Sequence, residues 1–314
     1  MAATLKQSPI LRMHARDLTS DLDLSIAELN ELLSLASEVK QTPARYTSAL
    51  TGRYLSLLFE KPSLRTRLTF ELAIKQLGGD SVTSTGPVGG REPLKDIARN
   101  LDRWTNGIVA RTFAQETVDE LARWSSVPVI NALSDLYHPC QALADMQTLR
   151  ERFGGLRGVH LVFVGDGNNV AHSLMLCAAR LGMNCTVATP PGYEPNAAIT
   201  AEARRFAAAL GAEIAVTNDA FAAVGRADAV YTDVWASMGQ ESEAEERQRI
   251  FRPYQVNERL MAAAQAHTLF MHCLPAHREE EVTDAVIESA NSVVFDQAEN
   301  RLHAQKALLL MLID

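Results

Sequence analysis

A chain of 314 residues, 47% hydrophobic and 22% charged, is long enough for two globular domains with substantial cores and has nothing of a disordered composition. Its formal net charge of −8 opposes non-specific binding to nucleic acid or anionic lipid, which leaves a small molecule as the expected partner. The cysteines, Cys140, Cys177, Cys185 and Cys273, show no C-x-x-C pairing, so a disulfide framework or structural zinc site is disfavoured; with neither a secretory leader nor a membrane-length apolar run, the expected location is cytoplasmic.

In chain order, the first strong signal is Tyr54-Leu55-Ser56-Leu57-Leu58-Phe59, a buried strand, followed by Glu60-Lys61-Pro62-Ser63-Leu64-Arg65-Thr66-Arg67. Leu68, Phe70, Leu72, Ala73, Ile74 and Leu77 then form a helical pattern closed by Gly78-Gly79, which predicts a helix starting near Ser63. The positive end of a helix dipole favours an anion there, and Arg65 adds a planar two-pronged donor. Arg67 and Glu71 are spaced for an i,i+4 ion pair. Arg65 lies about 200° around the helix from Arg67, so one arginine faces a ligand while the other braces the fold. The competing reading is a plain Ser63 cap with solvated arginines, since the stretch lacks the P-loop consensus.

Further on, Leu94, Ile97, Leu101 and Trp104 share one face of a predicted helix and read as core. Strands are expected over 107–110, 127–132, 160–164, 185–188, 229–232 and 269–272, alternating with helices, so the fold class is α/β with parallel sheets. Arg111 follows one strand as a second guanidinium at a sheet edge. His138-Pro139-Cys140-Gln141 follows another, with Pro139 stiffening the turn before a helix that starts near Gln141. His138 suits a hydrogen bond to a carbonyl oxygen and Gln141 suits an amide; the alternative for His138 is a satisfied structural histidine. A domain break is read at Arg152-Phe153-Gly154-Gly155-Leu156-Arg157-Gly158.

Gly165-Asp166-Gly167-Asn168-Asn169-Val170 occupies the place of a dinucleotide fingerprint. It lacks the third glycine, and no acidic residue ends the following strand, so an NAD-binding oxidoreductase is disfavoured. The asparagine pair suits a polar small molecule instead. Asp233 ends a strand before Trp235-Ala236-Ser237-Met238-Gly239-Gln240-Glu241 and a charged stretch to Arg252, a loop long enough for a binding or lid role. Met271-His272-Cys273-Leu274-Pro275-Ala276-His277-Arg278 ends another strand; without a second cysteine pair or an H-E-x-x-H arrangement, zinc is disfavoured. Residues 298–312 form a final helical stretch.

Ser63-Leu64-Arg65-Thr66-Arg67, His138-Pro139-Cys140-Gln141, Asp233-Val234-Trp235-Ala236-Ser237-Met238-Gly239 and His272-Cys273-Leu274-Pro275, in this order, resemble the aspartate/ornithine carbamoyltransferase family over nearly the whole chain. Ser237-Met238-Gly239 and Cys273 resemble its ornithine branch. The resemblance implies two domains, each a mainly parallel sheet flanked by helices, with the active site in the interdomain cleft. Residues 1–150 would bind carbamoyl phosphate, with the C-terminal helix at about 298–314 packing back on them, and 151–314 would bind ornithine. It implies transfer of the carbamoyl group to the δ-amine of L-ornithine, giving citrulline and phosphate, with no metal or cofactor, in a homotrimer or a multiple of trimers. Ser63, Leu64, Arg65, Thr66 and Arg111 would hold the phosphate, joined by Arg301. His138 and Gln141 would hold the carbamoyl group, with Cys273 and Leu274 at the junction of the substrates. Asn169, Asp233, Ser237 and Met238 would hold the amino-acid end of ornithine. Arg111, His138 and Cys273 would act in catalysis.

Two positions depart from the family pattern. Leu64 stands where threonine is usual, and a backbone N–H contact survives that change. The family's glutamine, supplied to the neighbouring subunit's phosphate site, falls near Pro87 in a shortened Thr85-Gly86-Pro87-Val88-Gly89-Gly90-Arg91-Glu92 segment; proline donates from neither side chain nor backbone. The alternatives are a carbamoyltransferase for an N-acylated ornithine or putrescine, and a non-catalytic paralogue that binds the anion alone.

Overall fold

A computed structural model of the chain describes residues 10–61, 63–236 and 241–313. They form two compact units. One comprises the chain to Thr112, Glu116–Asn131 and the C-terminal stretch from Leu302; the other comprises Phe113–Gln115 and Ala132–Arg301.

The first unit carries β1 (Tyr54–Phe59), β2 (Asp80–Thr85), β3 (Gly107–Arg111) and β4 (Val129–Leu133), in the order β2-β1-β3-β4. β1 runs parallel to both β2 and β3. Its Leu55, Leu57, Leu58 and Phe59 are all buried, as befits a central parallel strand covered on both faces. The helices are α1 (Ile26–Gln41), α2 (Leu64–Gln76), α3 (Leu94–Trp104) and α4 (Gln115–Trp124). α1 starts in a capping box: the Ser25 hydroxyl accepts from the Glu28 N–H at 3.2 Å, and the Glu28 carboxylate accepts from the Ser25 N–H at 2.7 Å.

α3 has the predicted bounds, but Trp104 is 69% exposed and is not core. The apolar face runs through Leu94, Ile97, Ala98 and Leu101 against Ile108, Val118 and Leu121. The next place on that face falls to Thr105, which ends the helix by donating its N–H to the Leu101 carbonyl.

The second unit carries β5 (His160–Val164), β6 (Asn184–Ala188), β7 (Ile214–Thr217), β8 (Ala229–Thr232) and β9 (Leu269–His272), in the order β7-β6-β5-β8-β9. All neighbouring pairs are parallel. Its helices are α5 (Pro139–Phe153), α6 (Asn169–Arg180), α7 (Ala197–Leu210), α8 (Ala220–Val224), α9 (Ala244–Phe251), α10 (Glu258–Met261) and α11 (Asp284–Ile287). α12 (Val294–Leu312) starts in this unit and belongs to the first from Leu302 onward. The C-terminal end is held within the first unit, where Met13 N–H donates to the Met311 carbonyl at 3.1 Å and the Arg12 guanidinium donates to the carbonyls of Leu310 and Ile313.

Strand order locates the binding regions. In open parallel sheets ligands gather beyond the carboxyl ends of strands, at the point where the order reverses. In the first unit that point lies between β1 and β3, flanked by the turn into α2 and by Arg111. In the second it lies between β5 and β8, flanked by Gly165 to Asn169 and by Asp233.

Candidate active site

Ser63 is the N-cap residue of α2, in extended conformation, and its hydroxyl makes no capping hydrogen bond. The plain-cap reading is therefore not what this side chain does. The Ser63 side chain thus does not occupy the helix start, the end that a phosphate favours. Thr66, one turn in, is 1% exposed, and its hydroxyl accepts a hydrogen bond from Arg111 Nη1 at 3.2 Å. The Arg111 carbonyl accepts from the Glu60 N–H at 3.0 Å. The end of β3 is thereby fastened to the turn and to the first turn of α2, so that Arg111, Ser63, Arg65 and Thr66 gather at one sheet edge.

Arg67 pairs with Glu71 as its spacing predicts, with Nε 3.8 Å from the carboxylate, which also accepts from the Thr83 hydroxyl at 2.8 Å. Arg67 also lines a cavity of about 560 Å³ with Lys61, Ser63, Leu64, Thr85 and Gly86. The segment that carries Pro87 folds against its own unit: Gly86 N–H donates to the Phe59 carbonyl at 2.9 Å and Val88 N–H to Glu60 Oε1 at 3.2 Å.

In the second unit His138 is the N-cap of α5, again without a capping side-chain bond, and Pro139 follows at the first helical position. The His138 N–H donates to Ser173 Oγ at 2.9 Å, and the residue is buried. Gln141 lies one turn on; its Nε2 donates to Asp145 Oδ1 at 2.8 Å. Burial pushes Asp145 up to about 7, against the pull of hydrogen bonds from Gln141, Gln297 and Tyr231 and of the Arg301 charge. Arg301 is itself buried.

Asp233, at the end of β8, accepts from Asn168 Nδ2 at 2.9 Å on one oxygen and from the Cys273 thiol at 2.9 Å on the other. Asn168 also caps α6 through its side-chain Oδ1, which accepts from the N–H groups of Val170 and Ala171. Sequence reasoning selected Asn169, whose amide donates to the Ser134 carbonyl at 2.5 Å; it passed over Asn168 as the residue that holds Asp233. Burial, the Asp233 charge and the hydrogen bond to it push the Cys273 thiol well above its usual range, with Arg301 opposing. Cys273 is thus held as a hydrogen-bond donor to Asp233, in surroundings that oppose its ionisation.

Leu274 holds a left-handed backbone, φ 57°, which costs a branched side chain about 1–3 kcal/mol and marks a site where geometry outranks local preference. Its N–H donates to His272 Nδ1 at 2.8 Å, so the other ring nitrogen, Nε2, carries the proton and donates to Glu281 at 3.1 Å. Both His272 nitrogens are engaged in the fold.

Gly167 also has a reading apart from nucleotide binding. A Cβ there would stand 2.3 Å from the backbone nitrogen of Pro195, and its N–H donates to the Tyr193 carbonyl at 2.9 Å. This glycine admits a neighbouring loop. Asp166 beside it forms a buried ion pair with Arg247 at 2.8 Å, and Arg247 also donates to the Trp235 carbonyl at 3.1 Å. α9 is tied to the end of β5 in this way. Ser237 and Met238 lie outside the described residues.

Two parallel α/β units, one with an uncapped helix start beside guanidinium groups and one with a carboxylate among amides, define a two-domain enzyme for a small anion and a polar amine-bearing molecule. Residues 16–151 match the carbamoyl-P binding domain of aspartate/ornithine carbamoyltransferase, and residues 157–312 match its Asp/Orn binding domain. The ornithine carbamoyltransferase of Anoxybacillus flavithermus is 49% identical over 98% of this chain and 100% of its own length. The structure of ornithine carbamoyltransferase from Pyrococcus furiosus superposes with a TM-score of 0.93 at 48% identity, covering 97% of this chain and 99% of that one. An acetylornithine transcarbamylase complexed with acetylcitrulline gives 0.84 at 32% identity, covering 98% and 100%. The chain belongs to the aspartate/ornithine carbamoyltransferase family.

Proposed function

We propose that this enzyme transfers the carbamoyl group of carbamoyl phosphate to the δ-amine of L-ornithine, forming citrulline and phosphate on the route to arginine. The observation that carries the phosphate end is the uncapped start of α2 with Arg111 bonded to Thr66 beside it. Ser63, Leu64, Arg65 and Thr66 hold the phosphate through side chains and backbone N–H groups, with Arg111 and Arg301 neutralising its charge. His138 donates to the carbamoyl oxygen and Gln141 accepts from the carbamoyl amide; Cys273 and Leu274 line the point where the amine attacks. Asp233 pairs with the α-ammonium of ornithine, supported by Asn169, Ser237 and Met238.

The neutral amine attacks the carbamoyl carbon, a tetrahedral species forms, and the C–O bond to phosphate breaks as the proton shed by the attacking nitrogen passes to the leaving phosphate. An amine with a pKa of about 10.4 is neutral in only about one molecule in 10³ at pH 7, a cost of about 4–5 kcal/mol that desolvation on binding offsets. The loop from Trp235 to Phe251 closes over ornithine once carbamoyl phosphate is bound. It joins the ligand residues after Asp233 to a charged, turn-prone stretch; random addition of the two substrates in initial-rate kinetics would count against it.

The substrate assignment is tested by citrulline formation from ornithine against carbamoylation of N-acetylornithine and putrescine. Ornithine is expected to lead N-acetylornithine in kcat/KM by at least about 10²-fold, because acetylation removes the ammonium partner and leaves a buried carboxylate unpaired at a cost of several kcal/mol; putrescine keeps that ammonium and is set behind only by its missing α-carboxylate. Equal rates would overturn the ornithine reading, and anion binding without turnover would favour the non-catalytic one.

The enzyme is proposed to act in the cytoplasm, a reading supported by four free thiols and by the lack of any membrane-length apolar helix among the described residues. It is further proposed to assemble as a trimer. Leu64, Leu68 and Leu72 form an exposed stripe at i, i+4 and i+8 on α2, with exposed Val82 on β2, the end strand of its sheet, and contiguous apolar surface of this kind marks an interface. Leu68→Glu with Leu72→Glu is expected to reduce the light-scattering mass from three chains to one. An unchanged trimer would place the interface elsewhere.

A further inference from the structure

Gln141 is buried, and its Oε1 has no hydrogen-bond partner among the described residues. An amide oxygen and nitrogen are interchangeable until the network around them is fixed, so what this side chain selects depends on which end it presents. The network begins at a donor that is not ambiguous. The backbone N–H of His272 donates to Gln297 Oε1 at 3.0 Å, so Gln297 turns its Nε2 the other way. That nitrogen donates to Asp145 Oδ1 at 2.7 Å and to the Tyr231 hydroxyl at 3.0 Å. With its lone pair so engaged, the Tyr231 hydroxyl donates its own hydrogen to Asp145 Oδ2 at 3.1 Å.

Asp145 therefore receives donors on both oxygens, and the group facing it from Gln141 has to be Nε2, at 2.8 Å. Asp145, Tyr231 and Gln297 are all buried, so water does not relax this arrangement.

We infer that Asp145, held by Tyr231 and Gln297, is a positioning and specificity-determining residue: it fixes Gln141 with its carbonyl oxygen turned away from Asp145 as the end left to accept, so that the transferred group must bring an N–H donor. Carbamoyl phosphate supplies one. Acetyl phosphate presents a methyl group in the same place, and carboxy phosphate presents an oxygen that repels Oε1. The discrimination lies in leaving a buried acceptor unpaired when the wrong ligand binds. With a pKa of about 7, Asp145 is mostly ionised at pH 8 and acts there as an acceptor.

The inference rests on the assignment of Gln141 to the carbamoyl amide, so the test carries a control for each. In the full-length enzyme at pH 8, kcat/KM for carbamoyl phosphate and the inhibition constant of acetyl phosphate are measured for wild type, Gln141→Met and Asp145→Asn, with thermal midpoints alongside. Wild type is expected to favour carbamoyl over acetyl phosphate by at least about tenfold. Equal affinity in wild type overturns the proposal whether or not any variant folds. Gln141→Met is expected to lose the preference; if it does not, the assignment of Gln141 fails. Asp145→Asn replaces the acceptor by a group that also satisfies a reversed Gln141. Its kcat/KM for carbamoyl phosphate is expected to fall about 30- to 100-fold while acetyl phosphate inhibition changes less than about threefold. A preference lost in Gln141→Met but intact in Asp145→Asn overturns the role given to Asp145. An equal loss for both ligands would make Asp145 merely structural.

Discussion

Replacing Arg111 by methionine is expected to lower kcat/KM for carbamoyl phosphate about 10²- to 10³-fold, the usual consequence of removing one preorganised donor from a developing anion. Arg111 ends β3 at the reversal point of the first sheet, and its Nη1 is aligned by a hydrogen bond to Thr66 Oγ1. Little reorganisation is then needed when phosphate charge builds up as the C–O bond breaks. Arg111→Lys keeps a charge but loses the planar fork, so it should recover only part of the rate. Thr66→Val removes the alignment and not the charge, and should cost less than Arg111→Met. Initial rates at saturating ornithine read all three. An Arg111→Met enzyme within threefold of wild type would remove Arg111 from the site.

Asp233→Asn is expected to raise KM for ornithine about 10²-fold and leave that for carbamoyl phosphate nearly unchanged, since truncating one partner of a buried charge pair costs about 2–5 kcal/mol. Asn168 and the Cys273 thiol already hold the carboxylate in place, so the charge, not the shape, is what this variant removes. The same geometry fixes a pH dependence. An acid whose pKa is raised keeps its proton at every pH below the raised value, so Cys273 stays a donor to Asp233 through the range where an ordinary thiol ionises, near 8.5. kcat/KM for ornithine should then climb about tenfold per unit between pH 7 and 9 as the free amine loses its proton, near 10.4. An alkaline limb near 8.5 that disappears in Cys273→Ser would show instead that the thiol titrates.

Much of this was legible in the chain, and what was not follows from where it sits. β5, β8 and β9 have the bounds read from their apolar runs because they are covered on both faces. β2 and β7 were missed; each lies at one end of its sheet and, unlike β9 at an opposite end, is only partly buried. Asp80-Ser81-Val82-Thr83-Ser84-Thr85 shows the partial, irregular burial such a position permits, and periodicity has little to register there. The start of α2 was read correctly, whereas whether Ser63 caps the helix depends on a side-chain rotation that no pattern encodes.

The residues around Gln141 divide the same way. Asp145 lies four places beyond it on the same helix and could have been paired with it by spacing alone. Tyr231 and Gln297 lie 86 and 152 residues from Asp145, and only the folded second unit brings them to one carboxylate. The glycines of the Gly165–Val170 segment misled in the opposite direction. They look like a nucleotide turn, yet Gly167 makes room for the loop at Pro195.

The central claim is that one molecule of carbamoyl phosphate and one of ornithine are held by the turn at Ser63, by the start of α5 and by Asp233. A crystal structure with phosphonoacetyl-ornithine tests it most directly. The expected result is a phosphonate within hydrogen-bond distance of Ser63, Arg65, Thr66 and Arg111, a carbonyl oxygen at His138, and the α-ammonium at Asp233. A phosphonate bound elsewhere, with Ser63 to Thr66 and Arg111 untouched, would contradict it.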